Sequence, residues 1–195
     1  MGDTGHTITL YSPQSEAVLR ALGRDGVCYS RPEYVAAKYG ESAPIFLTIY
    51  HWFVDRAARL VPPPSQAQFP YWAYADPADV DVSGGGRVLK LHVPSDQAVL
   101  FDRYDWTRIL QLKYLGETPE EEEDFQRQLA LRGLDGTKVM LTHFYPEWKQ
   151  AVFDSWERLF RHHHRLRQGD YSGVGGVQAG LWCINAHWLD PNCPL

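Results

Sequence analysis

Apolar and polar residues alternate in the stretch 89–93, LKLHV. This alternation is typical of a strand that packs one face on a hydrophobic core. The tripeptide PSD at 94–96 predicts a tight turn, because proline fixes φ and the next two side chains hydrogen-bond nearby backbone. Residues 98–101, AVLF, are then predicted to return as a second strand.

A helix is predicted directly after this second strand, with Asp102 or Asp105 as its N-terminal cap. Trp106, Ile109 and Leu110 form its apolar stripe. Strand, turn, strand and helix in this order indicate a structural scaffold and name no reaction.

The N-terminal part of the chain predicts a strand and two helices. Residues 7–11 predict the strand, which is expected to end where Ser12 caps a helix with Pro13 at its first position. The sequence SRPE at 30–33 has the spacing of a capping box, so a second short helix is predicted through about Tyr39.

A longer third helix is predicted over 45–60, where apolar residues recur at helical spacing, and the prolines at 62–64 end it. The aromatic run FPYWAY at 69–74 predicts an extended segment beside the sheet. The glycines at 84–86 lack the spacing of a dinucleotide fingerprint and predict a loop.

Two more helices and a last strand are predicted in the C-terminal half. The sequence TPEE at 118–121 predicts a helix through about Leu131. Pro146 starts a further helix with an apolar stripe that extends to Phe160, and 177–184 predicts the final strand.

Strands near both ends and in the middle, with helices between them, predict an α+β fold. A chain of 195 residues is long enough for one sizeable core and short for two. We therefore expect a single globular domain over 1–195, with a mainly antiparallel sheet and several helices packed around it.

The net charge bears on which partners the protein binds, and the cysteine count bears on the compartment in which it works. A net charge of -5 provides no basic footprint for non-specific nucleic-acid binding. Cys28, Cys183 and Cys193 are too few and too scattered for a disulfide framework or a zinc quartet. No signal peptide or membrane-length apolar stretch is found in the sequence. We expect a cytoplasmic protein with no membrane partner.

The residues that could bind a metal and those that could act as catalytic carboxylates each have a simpler structural role. The three histidines at 162–164 point about 100° apart on a helix and cannot converge on one ion, so we expect a solvated helix end and no metal. Asp102 and Asp105 could form the carboxylate pair of a hydrolase, but capping explains them more simply. The sequence has no G-x-S-x-G elbow for a serine nucleophile.

A polar and aromatic set of residues remains as the candidate site. If its members meet, they form a pocket with flat apolar walls and a few amide and hydroxyl groups, which suits a nucleotide or another planar ligand. The alternative is an aromatic-rich core with surface glutamines. The pocket requires the first and last strands to lie side by side. The set comprises Tyr11, Gln14, Tyr50, Trp72, Tyr74 and Gln178.

The chain resembles a bacterial family known only as a domain of unknown function, because several short motifs follow one another in the same order. Tyr11 and Ser12 stand where that family usually has Trp and Thr. The resemblance covers nearly the whole chain and implies no activity. The motifs are Leu10-Tyr11-x-x-Gln14, Tyr50-x-Trp52, Pro70-x-Trp72-Ala73-Tyr74, Val93-Pro94 leading to Leu100-x-Asp102 and Trp106, Ser155-Trp156-x-x-x-Phe160, and Gln178-Ala179-x-x-Trp182.

A more distant resemblance is to the ADP-ribosyltransferase fold, in the layout of 88–101 and 178–184. It implies that Tyr11 and Tyr50 line the nicotinamide side of bound NAD and that Trp72 forms a wall. Gln178 then stands where that family has its catalytic acid. Glutamine keeps a hydrogen-bond acceptor but lacks the charge that favours a developing cation.

Three functions follow as hypotheses. The first is an NAD-consuming enzyme of the ADP-ribosyl-transfer type, with Gln178, Tyr50 and Tyr11 as catalytic residues. In it, Tyr11, Gln14, Trp72 and Tyr74 contact the nucleotide. The second is a non-catalytic module that binds a nucleotide or a peptide in the same cleft. The third is a hydrolase that uses Asp102 and Asp105.

Overall fold

Five antiparallel strands form the central sheet, and helices cover parts of both its faces. The computed structural model describes residues 6–192, without the side chains of 35, 36 and 38. Cys193, one of the three cysteines considered above, lies outside this range. So do residues 1–5, on which the signal-peptide prediction partly depends. The strands are β1 (Thr7–Gln14), β2 (Val27–Cys28), β3 (Tyr71–Tyr74), β4 (Arg87–Pro94), β5 (Ala98–Asp102), β6 (Val177–Leu181) and β7 (Ile184–Asn185).

The eight α-helices described within residues 6–192 all lie between β1 and β6 in the sequence. Short 3-10 turns occur at Gly40–Ser42, Pro77–Asp79, Ser95–Gln97, Glu157–Phe160 and Ala186–Trp188. The α-helices are α1 (Glu16–Asp25), α2 (Pro32–Tyr39), α3 (Ala43–Leu60), α4 (Arg103–Leu110), α5 (Pro119–Ala130), α6 (Gly136–Leu141), α7 (Pro146–Trp156) and α8 (His163–Arg167).

The order of the strands in the sheet is β4-β1-β3-β6-β5, and every neighbouring pair is antiparallel. Strands β2 and β7 form a separate two-stranded sheet. The α+β fold with a mainly antiparallel sheet is therefore confirmed. The small second sheet had no separate signal in the sequence.

Alternation along the strands gives the sheet two different faces. One face, here called the α1 face, carries Leu10, Leu91 and Leu100 and packs against α1 and α8. The opposite face, here called the α3 face, carries Trp72 and Phe101 and packs against α3, α4 and the helices beyond them. Each buried apolar side chain contributes about 1.5–3 kcal/mol to this packing.

The unit built from β4, β5 and α4 has the structure that its sequence predicts. Asp102 is the cap of α4, because its Oδ1 accepts a hydrogen bond from the backbone N–H of Tyr104 at 2.9 Å. Thr118 caps α5 in the same way, through the N–H of Glu121 at 3.2 Å. Helices α2, α3, α5 and α7 also lie where the sequence predicts them.

The predicted end of the first strand is wrong. Strand β1 continues through Ser12 and Pro13 to Gln14, which pairs with Arg87 of β4, and α1 begins only at Glu16. The hydroxyl of Ser12 does not cap a helix but donates to the carbonyl of residue 72 at 2.6 Å. Cross-strand pairing thus overrides the local helix-start signal.

The predicted final strand is two strands in two sheets. Strand β6 ends at Leu181, and β7 begins at Ile184 and pairs with β2. Between them the Trp182 indole N–H donates to the carbonyl of Val61 at 2.6 Å, at the C-terminal end of α3. This contact accompanies the change of sheet.

The expectation of a solvated helix end at the histidines is also wrong. His163 is fully buried, and it begins α8 instead of ending a helix. Its Nδ1 accepts a hydrogen bond from the N–H of Leu100 at 3.1 Å, so the proton of the neutral ring is on Nε2. Burial lowers the pKa of His163 to about 4. His164 is exposed.

We predict that His163 makes the protein sensitive to mild acid. Its pKa is about 4 in the folded chain and about 6.5 when unfolded, so between these values the unfolded chain binds more protons. The free energy of unfolding should have its full value above pH 6.5. Below that pH it should fall by about 1.4 kcal/mol per pH unit toward pH 4. Denaturant titrations at several pH values measure this slope.

The variant His163→Gln removes the titrating group and keeps an oxygen that can accept from Leu100. We expect its stability to change little over the same pH window, whereas the control His164→Gln should keep the slope of the original protein. Equal slopes in all three proteins would show that His163 does not cause the acid sensitivity.

A second prediction concerns the contact between α3 and the sheet. A Cβ added to Gly180 in β6 would lie 2.9 Å from Cζ of Phe53, so Gly180→Ala forces the ring to move. We expect a loss of about 1–3 kcal/mol of stability, the usual cost of overpacking. Gly23→Ala is the matched control, because that exposed site in α1 has open space and should gain about 0.5–1 kcal/mol. Urea unfolding of both variants tests the opposite signs, and a neutral Gly180→Ala would refute the tight contact.

Candidate functional site

Three of the predicted site residues lie in one row across the sheet, on the α3 face. Tyr11 of β1 pairs with Tyr74 of β3, and Tyr74 pairs with Gln178 of β6. Directly paired residues have Cβ atoms about 4.5–5.5 Å apart, so their side chains are neighbours. We call Tyr11, Tyr74 and Gln178 the cross-strand row.

The predicted contact between the first strand and the last is wrong in one respect. Strand β3 lies between β1 and β6, so the two are not side by side. The cross-strand row forms nevertheless, because Tyr74 of β3 joins the other two residues. Gln178 is the most enclosed of the three, with 3% of its surface exposed, whereas Tyr11 and Tyr74 are half-buried.

Tyr50 and Trp72 lie next to the row but belong to the packed core. The indole N–H of Trp72 donates to the hydroxyl oxygen of Tyr50 at 3.1 Å, and the hydroxyls of Tyr39 and Tyr50 are 3.3 Å apart. Burial and the neighbouring Tyr39 raise the pKa of Tyr50 well above its usual range. Tyr50 is therefore a neutral hydroxyl at physiological pH.

The ring of Trp72 is enclosed by three other aromatic side chains. Its centroid lies 5.1 Å from that of Phe53, 4.9 Å from that of Trp106 and 6.2 Å from that of Phe101. Edge-to-face and tilted pairs at these distances are the favourable geometries for aromatic rings. Trp72 therefore belongs to the aromatic core beside the row.

An ion pair that the sequence analysis did not single out borders the row. Nη2 of Arg103 lies 3.0 Å from Oδ1 of Asp79, and the pair sits over Gly176, where a Cβ would be 3.0 Å from the carboxylate. Nε of Arg103 is buried and has no hydrogen-bond partner. Burial raises the pKa of Tyr74, while the charge of Arg103 lowers it and Asp81 and Asp79 raise it further. The charges of Arg103, Asp79 and Asp81 therefore lie close enough to Tyr74 to act on its hydroxyl.

An open cavity of about 530 Å³ lies where β3 ends and β6 begins, and its strand residues belong to the α1 face, opposite the row. Ala75 and Val177, the residues next to Tyr74 and Gln178 in the chain, line it, and Asp79 contributes its carboxylate. Its volume lies in the range of small-molecule sites, about 300–1,000 Å³. The lining residues are Ala75, Asp76, Pro77, Asp79, Tyr171, Val174, Gly175, Gly176 and Val177.

Gln14 is separated from the other predicted residues, because it lies on the α1 face. Its side-chain amide donates to the hydroxyl of Ser12 at 2.8 Å. It lines a different cavity, of about 290 Å³, together with Cys28 and Tyr71, whose sulfur and hydroxyl oxygen are 3.0 Å apart. The structure therefore places Gln14 and Gln178 on opposite sides of the sheet.

The two carboxylates of the hydrolase hypothesis both have structural partners. Asp102 accepts from the N–H of Tyr104 with one oxygen and from the N–H of Gly175 at 3.0 Å with the other. Asp105 is buried and lies 3.0 Å from Nη2 of Arg161. Burial raises the pKa of Asp105, and the charge of Arg161 opposes that shift. Both carboxylates are therefore engaged in structural contacts, unlike the free acid–base pair of a hydrolase.

Residues 6–192 also bear on metal and membrane sites. Within this range, no three His, Cys, Asp or Glu side chains are arranged to hold a metal ion. No helix in the same range has both the length and the apolar character that a membrane crossing requires.

Part of the site had no recognisable signal in the sequence. Arg103 and Asp79 are 24 residues apart and belong to no motif, and only the fold brings them together. Tyr171 lies in the loop before β6 and belongs to no motif in the sequence. The aromatic run at 69–74 was the one local signal that pointed to this part of the sheet.

The comparison with protein families extends over almost the whole fold. Residues 9–190 match the family described as "Domain of unknown function (DUF3841)". No curated protein and no solved structure gives a significant match to the chain. The matched range runs from β1 past β7 and includes every residue of the cross-strand row. The chain therefore belongs to the DUF3841 family.

Proposed function

We propose that this protein binds a nucleotide-type small molecule, with NAD as the first candidate, along the cross-strand row on the α3 face. The observation that carries the proposal is the alignment of Tyr11, Tyr74 and Gln178 on one face of the sheet, beside the Arg103–Asp79 ion pair.

The chemistry of the row suits the parts of a nucleotide. Two half-buried phenol rings offer flat surfaces and hydroxyl groups to a base. The amide of Gln178 can both donate to and accept from ribose hydroxyls. Arg103, beside the row, carries a guanidinium with a buried Nε that lacks a partner, although Asp79 compensates its charge.

The test compares two glutamines on opposite faces of the sheet. NAD should raise the melting temperature of the original protein, and Gln178→Ala should weaken the apparent affinity about tenfold, the cost of roughly one to two hydrogen bonds. Gln14→Ala removes the same side chain from the α1 face and should leave the response unchanged. NAD titrations followed by thermal shift measure both effects.

Three outcomes would contradict this proposal. Equal weakening in both variants would place the ligand away from the row. An unchanged response in Gln178→Ala would remove that residue from the site. The absence of stabilisation by both NAD and ADP-ribose would reject this class of ligand.

ADP-ribosyl transfer is the second candidate function, favoured by the position of Gln178 in the row beside two tyrosines. A carboxylate there would stabilise an oxocarbenium-like transition state, whereas an amide lacks the charge. We therefore expect Gln178→Glu to release nicotinamide from NAD faster than the original protein does. Chromatography of the reaction mixture measures the release. If Gln178→Glu binds NAD normally but releases nicotinamide no faster, the transfer function is wrong and binding alone remains.

A further inference from the structure

A second polar cluster lies on the α3 face, on the part of β1 and β4 outside the aromatic core. Thr9 of β1 and His92 of β4 are cross-strand partners, and Thr9 Oγ1 lies 3.3 Å from His92 Nδ1. The other ring nitrogen, Nε2, lies 3.0 Å from Oδ2 of Asp190. A hydroxyl, an imidazole and a carboxylate are therefore connected in sequence.

The carboxylate at the end of this chain of contacts is enclosed and fixed. Asp190 is 6% exposed, and it accepts from Lys90 Nζ at 2.7 Å and from the N–H of Asn192 at 2.9 Å. The hydrogen bond from Lys90 is the main reason that the pKa of Asp190 lies well below its usual range. An ionised carboxylate only accepts hydrogen bonds, so Nε2 of His92 carries a proton toward it.

This tautomer leaves Nδ1 of a neutral His92 with its lone pair directed at the hydroxyl of Thr9. A hydroxyl nucleophile, a histidine base and an orienting carboxylate are the three parts of the triad arrangement, which is recognised by geometry and not by order in the sequence. The side chain of His92 is 40% exposed and Thr9 is half-buried, so a substrate can reach both.

We propose that Thr9, His92 and Asp190 form an acyl-transfer centre that acts on small carboxylic esters, an activity that goes beyond the proposed nucleotide binding. The contacts favour small esters because the site lies on an open strand surface. Thr9 and His92 line none of four of the best-formed cavities among residues 6–192.

The reaction proceeds in two balanced steps. The Thr9 oxygen forms a bond to the ester carbonyl carbon while its proton moves to Nδ1 of His92; the ester C–O bond then breaks and the alcohol leaves with that proton. Water attacks the acyl-threonine in the same way and releases the carboxylic acid and the free hydroxyl. Lys90 holds Asp190 in place, and Tyr11, two positions from Thr9 on the same face of β1, has a hydroxyl that can donate to the oxyanion.

The test uses the whole chain with p-nitrophenyl acetate and a fluorophosphonate probe. We expect the probe to modify Thr9, as located by peptide mass spectrometry. Thr9→Val keeps the shape of the side chain without its hydroxyl and should lower the hydrolysis rate at least about 100-fold, the lower range for general-base catalysis. Thr9→Ser keeps a hydroxyl and should remain active and labelled.

His92→Gln should lose both hydrolysis and labelling, whereas His164→Gln, a change at an exposed histidine outside the cluster, should keep both. Melting temperatures of all variants identify any loss that comes from unfolding, and in that case the labelling of the original protein decides alone. Hydrolysis by Thr9→Val at the original rate, or probe attachment at another residue or at none, would overturn the proposal.

Discussion

The ring of Phe53 rests on Gly180, and this contact determines how helix α3 meets the sheet. Strand β6 has no side chain at this point, so the helix approaches closely enough for Phe53 to reach Trp72, Phe101 and Trp106 as well. Interiors pack at the density of organic crystals, so such a contact permits little adjustment. The position of α3 then decides which part of the α3 face is covered and which part can meet a ligand.

Coverage by the aromatic core is uneven across the sheet. Strands β3 and β5 place apolar residues of this face in the core, whereas β1 and β4 keep half-buried polar residues there, among them Thr9, Tyr11 and His92. Buried polar atoms need partners, and at the boundary the hydroxyl of Tyr50 lies within hydrogen-bonding distance of both Tyr39 and Trp72. Side chains just outside the aromatic core stand on strands that the core holds in place, and they remain in contact with solvent. Both candidate sites lie in this zone.

Local patterns in the sequence were enough to predict the elements but not their assembly. The unit of β4, β5 and α4 follows from alternation, a turn and a cap, all within a few residues. The continuation of β1 depends instead on its pairing with β4, and the burial of His163 depends on Leu100, 63 residues away. Such contacts leave no periodic trace in the sequence.

The same limit applies to the candidate site. Residue types identified Tyr11, Tyr74 and Gln178 as possible site residues, but their register depends on β3, whose place between β1 and β6 no local pattern gives. Neighbouring residues of a strand point to opposite faces, which is why Gln14, three positions after Tyr11, faces the other way. His92 and Asp190 were missed because they are 98 residues apart in the sequence.

The two proposed sites share one strand, and this has a geometric consequence. Thr9 and Tyr11 are two positions apart on β1, hence on the same face and about 7 Å apart along the strand. That distance is shorter than a nucleoside, so a ligand that stacks on Tyr11 extends either along β1 toward Thr9 or across the sheet toward Gln178. A ligand lying toward Thr9 would cover its hydroxyl and block acyl transfer, whereas one lying toward Gln178 would leave it open. The direction of the ligand on β1 therefore decides whether the two activities exclude each other.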